Sequence, residues 1–312
     1  MNSKAPLNWA KTPVRALLNL ISSLCRIILC VLSLKVFPFS WHIRVFYTYF
    51  FRYKLDHRPG VPTTCESLTI FQPTVFGSQV SLGEMDYFGH KSNSTYVLDL
   101  DFARSHHIYG LFRQCARYYE SRFNESNTAS AGRFNYALGG VSSVFKRPLA
   151  LFQRYEIWTR VCYWDEKWVY MISHFVKEGC VKPRSYSDST AHPAANSQWS
   201  EDGDINQCDD SIIHAVMVSK VVFKEGRKTI PPAVFFQTGD LLPQPESKIA
   251  GVEYNERRGE VDKERENNDG SQLWQAINRE KSRGRTIMES IQGLDDGVGL
   301  FDKNVQVAFW RF

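Results

Sequence analysis

The residues best suited to chemistry stand together between Gly83 and Tyr96, in the order Gly-Glu-Met-Asp-Tyr-Phe-Gly-His-Lys-Ser-Asn-Ser-Thr-Tyr. Asp86 lies three residues before Gly89 of a Gly-His turn, and a segment with helical periodicity starts almost at once. A helix start presents unsatisfied N–H groups and the positive end of the helix dipole. A carboxylate held beside it can attack an acyl carbon or activate water while those N–H groups polarise the carbonyl. Asp86 is therefore the first candidate, with His90 ordering the turn. On residue type alone, Asp86 serves equally well as a helix-start capping acid worth about 1 kcal/mol.

Such a turn needs elements to hold it. Leu68 to Ser81 is rich in β-branched and aromatic residues and reads as a strand or bent strand pair. After the turn, Tyr96, Leu100, Ala103, His107 and Leu111 recur at three-to-four spacing. They predict a central helix of about 25 residues, reaching Tyr118 or Glu120 and wrapped by a sheet. Strands follow over Tyr136–Phe145, Tyr155–Trp164, Trp168–Val176 and Ile212–Phe223. In the second, Tyr155, Ile157, Thr159, Val161 and Tyr163 share a face, with Trp158 and Cys162 opposite. Residues 183–210 read as a polar loop and Glu253 to Asp269 as a charged, solvated linker. One or two short helices are expected around Gly284.

Residues Ala16 to Leu34 are mostly apolar and long enough to cross a bilayer, with Lys4, Lys11 and Arg15 before them. Arg15, Asn19, Ser22, Arg26 and Ser33 fall in one narrow polar stripe, so the helix could instead lie deep in the interface. The aromatic stretch from Val36 to Phe51, with Arg44 and Arg52, has an interfacial composition. We expect residues 1–54 to be membrane-associated, 65–240 to form the folded domain, and 241–312 to be a charged linker and helical tail.

A net charge of +5 without a dense basic stripe disfavours a dedicated nucleic-acid binder. The seven cysteines, at 25, 30, 65, 115, 162, 180 and 208, contain no C-x-x-C and suggest reduced, mostly buried thiols. The sequon at Asn93 sits at the predicted helix start, so the domain is expected to face the cytosol, on a membrane such as the endoplasmic reticulum. His106 and His107 are adjacent on a helix and unsuited to share a metal. Asp202 to Asn206 begins like a calcium loop but lacks its later glycine and acid. The missing G-x-S-x-G, P-loop and G-x-G-x-x-G disfavour serine hydrolases, NTPases and dinucleotide enzymes.

Taken together, Asp86, Gly89, His90, Asn93 and Tyr96, followed by Asp101-Phe102-Ala103-Arg104, resemble the motif of 4-hydroxybenzoyl-CoA-type thioesterases. The hairpin Glu156 to Arg160 with Trp164-Asp165 is also similar, especially to the membrane-anchored "thioesterase superfamily member" branch and its fungal relatives. The likeness spans about residues 68–178 and, more loosely, reaches Asp240. It implies an α+β hotdog fold and hydrolysis of acyl-CoA or a related acyl thioester. Asp86 would be the catalytic carboxylate, and the backbone N–H near Asn93 would hold the thioester oxygen. The resemblance also implies a homodimer and no cofactor beyond coenzyme A as part of the substrate, with Lys146 and Arg147 as candidates for its phosphates. The chain departs from the pattern at Glu84, where Asp is common, at Lys91, usually apolar, and at Ser92, usually Asn. Two rivals are a non-catalytic acyl- or lipid-binding hotdog protein and a hotdog dehydratase or hydratase.

Overall fold

The computed structural model describes residues 11–54, 68–125, 132–181, 210–243 and 260–295. Its centre is an antiparallel sheet of β1 (Thr74–Gln79), β2 (Phe134–Phe145), β3 (Arg154–Trp164), β4 (Val169–Lys177), β5 (Ile213–Glu225) and the short β6 (Lys228–Ile230). The strand order is β1-β3-β4-β5-β2, with β6 paired to β5. The sheet curls around one long helix, and we number the helices along the chain: α1 (Lys11–Leu32), α2 (Ser40–Tyr47), α3 (Asn93–Leu111), α4 (Arg113–Glu125), α5 (Pro232–Gln237) and α6 (Glu260–Asp295). Tyr96, Leu100 and Ala103 of α3 pack on Tyr155, Ile157, Phe175, Ala215 and Met217 from the sheet. This is the hotdog arrangement, α+β with a helix inside a curved antiparallel sheet.

Three elements differ from the sequence reading, each for a local reason. The central helix is interrupted at Phe112, which leaves helical geometry (φ −97°, ψ 19°) before α4 begins. The Phe112 ring is fully buried against Phe223, Phe235 and Phe236, and the break seats it there. In β3 the register shifts between Val161 and Tyr163, a bulge that opposes extra residues on one strand to fewer on the other. Tyr163 therefore joins Cys162 and Tyr170 in one cluster, while Trp164 joins the cluster around Phe71 and Phe236. Finally, the expected linker and short helices are one helix, α6, from Glu260 onward. Glu, Lys and Arg are strong helix formers even where nothing apolar packs. Gly284 does not interrupt α6; a Cβ there would lie 1.9 Å from the Cys162 carbonyl oxygen, so glycine permits close contact with β3. Ile277, Met288 and Ile291 are buried at this junction. The polar stretch at 183–210 lies outside the described residues as far as 209.

The N-terminal region has two characters. The window Arg15–Leu32 is long and apolar enough to cross a membrane, and none of it is buried against the domain. By contrast, α2 and the π-helical turn Thr48–Lys54 pack on α3. Thr48 Oγ1 lies 3.3 Å from His106 Nε2, Tyr49 and Tyr53 meet Tyr109, and the Arg44 guanidinium sits 3.6 Å from the Phe102 ring centre. Sheathed by this segment and by the sheet, α3 is buried nearly all round, which is why Asp99, Phe102 and Arg104 are buried alongside the apolar stripe. Of the five described cysteines, Cys115 and Cys162 are buried and Cys25, Cys30 and Cys180 exposed, so burial is less general than composition suggested.

Candidate active site

The turn bearing Asp86 is built almost wholly from backbone hydrogen bonds. Asp86 N donates to His90 O (2.8 Å) and Gly89 N to Asp86 O (3.2 Å). Gly89 closes the turn at φ 82°, in the region that glycine tolerates at no steric cost. Asp86 Oδ1 accepts from Phe88 N (2.9 Å) and His90 N (3.2 Å), which fixes the carboxylate plane. Among the described residues Oδ2 has no hydrogen-bond partner, so one oxygen holds the turn and the other is open to chemistry. Two residues beyond the turn, Ser92 N donates to Glu84 O (2.8 Å), and α3 opens at Asn93.

Asn93 is exposed at the first helical position, where amides have no intrahelical acceptor. Asp86 is half-buried, and the Tyr87, Phe88 and His90 side chains are exposed. His90 contributes through its backbone. One turn into α3, Tyr96 is pushed up to about 12, chiefly by burial and further by the carboxylates of Asp86 and Asp99, against the pull of its hydrogen bond with the Leu149 backbone.

Lys146 and Arg147 are exposed on the connection between β2 and β3, and both amides donate to His214 O (2.8 and 3.0 Å). The same connection borders the motif, since Lys91 N donates to Leu149 O (2.8 Å) and His90 bridges Ala150. The Arg147 guanidinium is already engaged by the Ser211 carbonyl.

Beneath the turn lies a cluster that the motif does not announce. Lys91 is 3% exposed and its Nζ lies 2.5 Å from Glu84 Oε1 and 2.9 Å from Asp99 Oδ2. Lys35, three residues after Leu32 ends both the apolar window and α1, reaches the same two acids at 2.9 Å each. Tyr155 donates its hydroxyl to Asp99, and Glu84 closes a capping box with Ser81. Burial alone would raise the Asp99 carboxyl; Lys35, Lys91 and the Tyr155 hydroxyl overturn that and hold it below the usual range. Burial likewise pulls Lys35 below the ordinary lysine value, partly offset by its acids. Two of the three departures from the family pattern, Glu84 and Lys91, are thus partners of each other. The sequence did carry one signal: Asp99 falls on the face of Tyr96, Leu100 and Ala103, where an acid must be paired to be tolerated.

A cleft of about 170 Å³ opens beside this cluster, lined among others by Lys35, Phe37, Trp41, Arg44, Leu98 and Phe102. It lies between the N-terminal segment and α3.

Fold and site together define a hotdog domain that presents a turn-bound carboxylate at the start of its central helix. Residues 80–232 match the thioesterase-like superfamily, covering the turn, the helix and all strands after β1. The chain is 34% identical over 233 residues to the thioesterase poxG of Penicillium oxalicum, 72% of each chain. It is 30% identical over 237 residues to the probable thioesterase atnL of Emericella nidulans, 71% of this chain and 72% of that one. Protein THEM6 of Danio rerio shares 30% over 104 residues, 33% of this chain and 46% of its own length. This chain belongs to the thioesterase-like superfamily, whose general chemistry is thioester hydrolysis.

Proposed function

We propose that the protein is a membrane-anchored acyl-CoA thioester hydrolase in which Asp86 is the catalytic carboxylate. The observation that supports this is the Asp86 turn itself: a carboxylate fixed through one oxygen in a turn that ends shortly before α3 starts at Asn93. In the reaction, Asp86 Oδ2 takes a proton from water as it attacks the thioester carbon, or attacks that carbon directly to give a mixed anhydride that water then opens. On either route negative charge gathers on the carbonyl oxygen. An amide of the Asn93 turn donates to it without reorganising. The carbon–sulfur bond then breaks and coenzyme A leaves as its thiolate, which takes back the proton held by Asp86 on the first route and a proton from solvent on the second. Coenzyme A enters only as part of the substrate. Lys146, exposed on the connection that borders the motif, would meet its phosphates, and Arg147 would have to release Ser211 to do so.

Two further features complete the proposal. The Arg15–Leu32 helix anchors the chain, with the domain on the cytosolic side. The edge strand β2, twelve residues long and carrying exposed Leu138, Val144 and Phe145, supports pairing with a second copy.

The test uses full-length protein in alkaline-washed membranes, where the anchor should retain it, assayed for hydrolysis of acyl-CoAs of varied chain length. Asp86→Asn should lower kcat by about 100-fold or more, the scale of a lost general base or nucleophile. Equal rates for wild type and variant would refute the assignment, and binding without turnover would favour the non-catalytic alternative.

A further inference from the structure

The Lys35 ammonium belongs to the N-terminal segment, yet its contacts lie in the catalytic domain. It lies within hydrogen-bonding distance of Ser78 Oγ (3.0 Å), the Gln79 carbonyl (3.1 Å), Glu84 Oε2 (3.0 Å) and Asp99 Oδ2 (2.9 Å), four acceptors for its three N–H groups. Those acceptors come from the end of β1, the approach to the Asp86 turn, and α3. Lys91 performs the same bridging from the far side of the turn, joining Glu84 to Asp99. The residues two before and five after Asp86 are therefore tied together and to α3, and Lys35 is the second cation that balances the two acids.

The packing beside Lys35 is equally close. A Cβ on Gly83 would lie 2.2 Å from the Val36 side chain and 3.3 Å from Ser33 Cβ, so the chain between α1 and α2 rests directly on the strand-to-turn connection. Among the described residues, Lys35 faces the charged groups of Glu84, Asp99, Lys91 and Arg44, whose Nη2 is 4.0 Å from Asp99, and the Tyr155 hydroxyl at 3.4 Å. Remove the Lys35 charge and the two buried acids keep one full lysine partner, with a half-exposed arginine at the edge. Glu84 then keeps Lys91 and its Ser81 capping box but loses the ammonium that ties it to the end of β1 and to the N-terminal segment.

We infer that Lys35 is a positioning residue for the Asp86 carboxylate, and that the membrane segment and the reaction site work as one unit joined through its ammonium. The anchor thus does more than localise the enzyme: its docking sets the turn that holds Asp86. The catalytic half of this rests on the hydrolase reading proposed above, whereas the coupling of Lys35 to the turn does not.

The experiment is hydrogen exchange on the full-length chain in detergent micelles, reading the amides of Phe88 and His90, which hold the Asp86 carboxylate, against those of Val218 and Val221 in β5. Two variants are compared with wild type: Lys35→Met, and Lys35→Met with Asp99→Asn, which restores charge balance while leaving Glu84 paired with Lys91. The turn amides should exchange about tenfold faster in both, over and above any change shared with the β5 amides, as for a local opening rather than a global one. In parallel, kcat should fall about tenfold while KM stays within about threefold, the signature of a misplaced catalytic group. Wild-type exchange at the turn in either folded variant would overturn the inference. So would failure of both variants to fold, since Lys35 would then be a folding residue alone. If wild-type protein shows no turnover, the hydrolase reading falls, and the exchange pattern alone decides the coupling.

Discussion

Replacing Asp99 with Asn tests the cluster beneath the turn at its deepest point. Asp99 is fully buried and takes Lys35, Lys91 and the Tyr155 hydroxyl as partners. The isosteric amide keeps the volume and removes the charge, leaving two lysines facing Glu84 alone. Removing one partner of a buried ion pair costs about 3–5 kcal/mol, because the remaining charge stays desolvated. For a domain of this size each kcal/mol lowers the melting temperature by about 2–4 °C, so a fall of about 6–20 °C is expected.

The pH dependence gives an independent check. The folded Asp99 holds its proton less readily than an unfolded Asp, so its stabilisation is present above the unfolded pKa of about 3.9 and fades as pH falls through the lower folded value. Asp99→Asn should flatten that acid-side loss. The assay is thermal unfolding followed by circular dichroism, over a series of acidic buffers. A melting shift below about 2 °C at neutral pH, or an unchanged acid limb, would refute the view that these charges are paired at net benefit.

Two other perturbations address different parts of the fold. His107 is fully buried, its Nδ1 lies 2.8 Å from Thr74 Oγ1, and burial pushes it down to about 4. Unfolded histidine titrates near 6.5, so stability should rise from about pH 4 to about 6.5, by up to about 3 kcal/mol. His107→Gln, which can keep the Thr74 hydrogen bond, should remove that slope in urea unfolding, and an unaltered slope would assign it elsewhere. Gly284→Ala should push α6 off β3 at a cost of about 1–3 kcal/mol, read as faster proteolysis within α6; unchanged cleavage would mean the helix is not held there.

Much of the fold was legible because its signals are local. The first strand of the hairpin alternates from Tyr155 to Val161, and β3 and β4 fall within a residue or two of the expected limits. The bulge at Cys162 was not legible, since nothing in the alternation marks where an extra residue enters a ladder. The break at Phe112 escaped for a related reason: periodicity continues through it, and only the pocket formed by Phe223, Phe235 and Phe236 rewards leaving the helix. In the site, Asp86, His90 and Asn93 could be placed together because one turn and one helix start join them. Lys35 and Tyr155 could not, as they reach Asp99 from opposite parts of the chain and no spacing rule links them. Lys91 could be seen only as a departure from the family pattern, and its partner Glu84 as another, until burial paired them.

The sequence separation in that cluster also sets a schedule for synthesis. Lys35 is 49 residues from Glu84, 64 from Asp99 and 120 from Tyr155. At about 5–20 residues per second, the last partner leaves the ribosome roughly 6–24 s after the lysine does. Throughout that interval the apolar helix just upstream must already be sheltered, while the ammonium waits in water for acids that have yet to be made. With the anchor proposed above, the domain has to finish folding against a lysine whose distance from the bilayer the preceding helix has already fixed.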